Sequence, residues 1–113
     1  MTARLTPALA LDHLLELSPD IREGVILTAA GVLAAGSPAL AGPARNLIGA
    51  ADADQVEVRS DRGGVFAARS AHHSVDIVTR RGALPATVFY DLRTVLDQLD
   101  ASAPGTTTDS MPR

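Results

Sequence analysis

The stretch that most constrains this chain is 22–36, Arg-Glu-Gly-Val-Ile-Leu-Thr-Ala-Ala-Gly-Val-Leu-Ala-Ala-Gly. Val25, Ile26 and Leu27 follow one another without a polar break, which in a strand means that both faces are covered. A buried helix segment would give the same short run. Gly31 separates it from a second run, Val32-Leu33-Ala34-Ala35, and suits a tight turn because glycine tolerates positive φ. The stretch reads as a hairpin whose first strand is interior to a sheet. Further strands must flank it, and helices must cover it.

The rest of the chain supplies them. Thr6-Pro7 opens a helix, with threonine as cap and proline at the first helical position, and Ala8, Leu11, Leu14 and Leu15 form its apolar stripe. Ser18-Pro19-Asp20 ends it. After the hairpin, Pro43 would break a helix already under way. The pattern therefore predicts a loop over 37–42 and a short helix over 43–51 carrying Ala44, Leu47 and Ile48. From residue 54 the period becomes two. Gln55-Val56-Glu57-Val58-Arg59, Val65-Phe66-Ala67-Ala68-Arg69 and Val75-Asp76-Ile77-Val78-Thr79 read as strands. The links between them hold turn residues at 61–64 and 70–73, so the three strands form an antiparallel meander. Pro85 starts a last helix in which Val88, Leu92, Val95, Leu96 and Leu99 recur at helical spacing. Residues 101–113 have no apolar period and are expected to be a disordered tail, leaving one domain over 1–100.

Several function classes drop out. The chain has no cysteine, hence no disulfide framework and no thiolate metal site. A net charge of −3 gives no nucleic-acid footprint. No apolar run reaches the ~20 residues of a membrane span, and the first residues lack a signal peptide's pattern, so a cytoplasmic location is expected. Lysine is absent, so no phosphate-binding loop of the Gly-x-x-x-x-Gly-Lys type exists, and no serine sits in a Gly-x-Ser-x-Gly elbow. No catalytic residue, cofactor site or metal site is expected. His72-His73, with only Asp76 near, is read as a turn or surface pair, because a metal needs more ligands. Asp76, in an otherwise apolar strand, reads either as a perturbed carboxylate or as a residue on a partly exposed face, and the second is taken because charged groups are rarely buried unpaired. Arg80-Arg81 is read as solvating a turn. Phe89 is assigned to the core and Tyr90 to its edge.

The order helix, two strands, helix, three strands, helix resembles the Roadblock/dynein light chain family, in particular small stand-alone bacterial members. The likeness covers about residues 6–99. It rests on the hairpin Gly24–Ala35, on Val56-Glu57-Val58, Gly64-Val65-Phe66-Ala67-Ala68 and His73–Thr79, and on the closing Leu84–Arg93. It implies an α+β fold, a profilin-like Roadblock sandwich around one five-stranded antiparallel sheet. It also implies a non-enzymatic homodimer that regulates or scaffolds a small Ras-like GTPase. The interruption at Gly42-Pro43 departs from the longer second helix usual in that family.

In such a dimer the third strand and second helix meet their copies, which makes Val56, Glu57, Val58, Arg59 and Leu47 the candidate dimer residues. With the two-fold through Val58, Glu57 faces Arg59 of the partner subunit and like charges stay apart. Arg45, Tyr90 and Arg93 are candidate contacts for the GTPase, tyrosine and arginine being enriched at interface hot spots. The alternative is a small-molecule sensor of PAS/GAF-like architecture. Such sites are usually lined by aromatics, and this chain has only Phe66, Phe89 and Tyr90.

Overall fold

The computed structural model describes residues 5–50 and 54–101. The chain runs α1 (Pro7–Leu17), β1 (Ile21–Thr28), β2 (Leu33–Gly36), α2 (Pro38–Ala50), β3 (Gln55–Ser60), β4 (Gly63–Arg69), β5 (His73–Thr79) and α3 (Pro85–Ala101). All strand pairs are antiparallel, in one sheet of order β2-β1-β5-β4-β3. This is the α+β sandwich expected from the sequence. β1 lies between β2 and β5, as its unbroken apolar run requires. At the hairpin turn the Thr28 N–H donates to the Val32 carbonyl at 2.8 Å, and Gly31 takes φ +86°. The expected tail lies outside the described residues, apart from Ala101 at the end of α3.

Side chains alternate across the pleat, so β1 feeds two cores. Ile26, Phe66, Val75 and Ile77 point to one face, where Leu11 and Leu14 of α1 and Leu92, Val95, Leu96 and Leu99 of α3 cover them. Val25 and Leu27 point to the other and meet Ala41 and Ala44 of α2. α1 begins as read: Thr6 Oγ1 accepts the Leu9 N–H at 3.2 Å, and Pro7 follows. Its stripe is shifted, with Ala10 buried and Ala8 exposed. The five apolar positions read on α3 are the five that it buries.

The second helix corrects the sequence reading. Residues 38–42, expected as loop, are helical, and α2 passes through Pro43 without a break. Pro43 cannot donate to the carbonyl four residues earlier. The usual clash between a proline ring and the Cβ of the preceding residue is absent, however, because that residue is Gly42. The crowding of the Ala39 carbonyl and the missing hydrogen bond remain, and the packing of Ala41 and Ala44 against Val25 and Leu27 offsets them.

Candidate interaction site

β3 is an edge strand that pairs only with β4 among the described residues, from Gln55↔Ala68 to Ser60↔Gly63. One line of its backbone N–H and C=O groups is therefore open, and no proline, lysine or glycine blunts it. Its side chains divide by face. Glu57 and Arg59 lie on the α3 side, where Arg59 stands 5.9 Å from the Phe66 ring centroid and donates to the Ala83 carbonyl at 2.9 Å. Arg59 Nε also donates to Glu57 Oε2 of its own strand. Those two charges, assigned by sequence to a partner chain, already have one another. Val56 is half-buried, and Val58, 49% exposed, faces α2.

On that side an apolar hollow of about 240 Å³ opens between α2 and the sheet, walled by Leu40, Pro43 and Leu47 of α2 and by Val58, Val65 and Val78. Asp76 lies in its wall. It is 3% exposed, neither carboxylate oxygen has a hydrogen-bond partner among the described residues, and burial pushes its carboxyl up to about 7. The expectation of a partly exposed Asp76 is overturned. β5 is covered on both faces, α1 and α3 lying on one side and α2 on the other, so alternation offered this side chain no solvent face.

Other candidates are scattered. Arg45, on α2, donates to the Gly31 carbonyl at 2.7 Å and so ties the helix to the β1–β2 turn. Tyr90 and Arg93 lie on α3, across the sheet from Arg45, so the three do not form one patch. Tyr90 is 72% exposed, whereas Arg93 Nη1 donates to the Arg69 carbonyl at 3.1 Å, a structural bond. Phe89 packs edge-to-face on Phe66, centroids 5.4 Å apart. His72 is exposed, and His73 begins β5, its Nδ1 3.2 Å from Asp100 Oδ1. No group of three or more metal-ligating side chains forms among the described residues. A larger hollow of about 490 Å³ lies on another face of α2 beside the β1–β2 turn, lined by Arg45, Ile48, Arg69, Ser70 and His73 among others, and it too opens to solvent.

A Roadblock/LC7 domain from Streptomyces avermitilis is similar with TM-score 0.71 at 18% identity, covering 87% of this chain and 96% of that one. The chain has a Roadblock fold. The gliding protein MglB from Thermus thermophilus is similar with TM-score 0.63 at 17% identity, covering 85% and 87%. A Schizosaccharomyces pombe profilin gives TM-score 0.63 at 14% identity, covering 85% and 98%. No family model matches the sequence, and no curated protein does. At such identities the likeness is one of fold.

The sequence reading assigned both Val58 and Leu47 to the dimer surface, and in this Roadblock fold the two wall the same hollow. It did not name Leu40, Val65 and Val78, and it took Asp76 for a partly exposed residue. The signal for Asp76 was available: Val75, Ile77 and Val78 make its strand as continuously apolar as β1.

Proposed function

We propose that this chain is a non-enzymatic adaptor of the cytoplasm that forms a homodimer through β3 and α2. In this reading it binds a small Ras-like GTPase and scaffolds or modulates its nucleotide cycle. The observation that carries the dimer is the open β3 edge running beside an apolar hollow, with half-exposed Val58 belonging to both. An edge with free backbone groups is a template for a further strand. The likeness to a Roadblock/LC7 domain and to a gliding protein supports an interaction role.

Such a regulator needs no catalytic group. A surface that fits one arrangement of the GTPase's switch loops better than another shifts their population by the difference in affinity. Of the three candidate contacts Tyr90, 72% exposed on α3, is the one proposed, since Arg45 and Arg93 are bonded to the Gly31 and Arg69 carbonyls and Arg45 lies across the sheet. The test is a pull-down from native cytosol with GDP or a non-hydrolysable GTP analogue present, followed by titration of the captured GTPase in purified form. A small GTPase retained more strongly with one nucleotide is expected. Retention of none with either nucleotide contradicts the GTPase reading and leaves the dimer to be judged separately.

A further inference from the structure

The hollow beneath α2 contains a side chain that neither the fold nor the adaptor role explains. An ionised carboxylate stripped of water is costly unless a cation or several donors replace that water. Asp76 has neither. Val25 and Ala67 flank it on β1 and β4, and α2 presents Leu40, Ala44 and Leu47. Among the described residues, the charged groups that the strands and α2 carry on the same side of the sheet are Glu23 of β1, Arg69 of β4 and Arg45 of α2. Arg69 is 3.4 Å from Asp54, Arg45 is bonded to the Gly31 carbonyl, Glu23 is exposed, and none of the three lines the hollow. Both oxygens are already shielded from direct contact with solvent, and the open mouth of the hollow is where bulk water comes nearest to them.

What would close that mouth follows from the edge. Two β3 strands pairing antiparallel are related by a two-fold perpendicular to the sheet, so both α2 helices lie on the same face of the joined sheet. Val58 is at once an exposed apolar residue of the edge and a wall of the hollow. A second copy seated on the edge therefore brings its own apolar α2 face toward the hollow and displaces the bulk solvent at its mouth, which deepens the burial of Asp76.

We propose that a second copy of this chain closes the hollow and that each protomer takes up a proton at Asp76 as it does so, making association tighter in acid and weaker in alkali. The inference rests on the dimer reading above. Burial already holds the carboxyl at about 7 with the hollow open, and closure moves it the same way. If Asp76 stays protonated in the dimer, linkage of two protons raises the dimer Kd about 100-fold between pH 6 and pH 8.

Sedimentation equilibrium across that range, on the wild type and on Asp76→Asn, tests it. The expected result is a steep pH dependence in the wild type and a flat, tight association in the variant. A wild-type Kd that is level from pH 6 to pH 8 overturns the proton linkage while the dimer stands. A pH dependence that persists in Asp76→Asn overturns it too and assigns the effect to other groups, such as the histidines. A wild type that is monomeric throughout overturns the dimer and the linkage together. Where Asp76→Asn does not fold, the carboxyl ¹³C shift of Asp76 in the wild type reads the same quantity. Its midpoint must rise by more than one pH unit from dilute to concentrated protein, and an unmoved midpoint overturns the proposal.

Discussion

A carboxyl that loses its water on folding and gains no donor is stable only when neutral, and this gives Asp76 a signature in the stability of the single chain. Its ordinary value of 3.8 in the unfolded chain rises to about 7 in the fold. Below pH 4 both states hold the proton. Between those values only the folded state does, so stability falls as pH rises, by about 1.4 kcal/mol per unit, and levels off above pH 7. Asp76→Asn removes that dependence. In urea unfolding at concentrations too low for association, the stability gap between variant and wild type should widen by roughly 2–3 kcal/mol from pH 5 to pH 8. Parallel curves would show that Asp76 is solvated in the folded chain. The rule that charges stay at the surface hid this residue, and its continuously apolar neighbours outweigh that rule.

α2 and α3 show why some elements are legible and others are not. The stripe of α3 is a local pattern, and Leu92, fully buried, is in it. Leu92→Ala should cost about 2–5 kcal/mol in denaturant unfolding, and a near-neutral value would mean that α3 does not pack as described. β1, the meander and α1 were legible for the same reason, since period and turn chemistry are set within a few residues. α2 was misread because Gly42 and Pro43 both act locally against a helix, and the packing of Ala41 and Ala44 on β1, which no local pattern shows, overrides them. The proline still leaves one helical hydrogen bond unmade. Pro43→Ala should stabilise the chain by roughly 1–2 kcal/mol, less than the ~3 kcal/mol interior penalty because proline also stiffens the unfolded chain. A destabilised variant would show that the packing of Pro43 in the wall of the hollow outweighs the lost bond.

At the scale of the whole molecule, the candidate site joins α2, β3, β4 and β5, segments that no local pattern connects, so its shape was outside the reach of periodicity. The edge position of β3 came from the family resemblance, and the strand order carries it. The charges on β3 matter less than the sequence suggested. Glu57 and Arg59 already pair within the strand, so cross-chain pairs replace these contacts and add at most ~0.2–1 kcal/mol each. Glu57→Arg should still weaken the dimer slightly and Glu57→Arg with Arg59→Glu restore it, while an unrecovered double variant would reject the register through Val58.

The open edge and the hollow together make one claim, that two copies join at β3, and Val58→Lys addresses it without disturbing either core. Val58 is half-exposed in the single chain, so a lysine there should leave the circular dichroism spectrum unchanged, while placing two cations at the two-fold. Sedimentation equilibrium of both proteins at pH 6 is the measurement. The wild type is expected at twice the mass of one chain and Val58→Lys at the mass of one chain. A monomeric wild type, or a folded Val58→Lys that remains a dimer, would contradict the account.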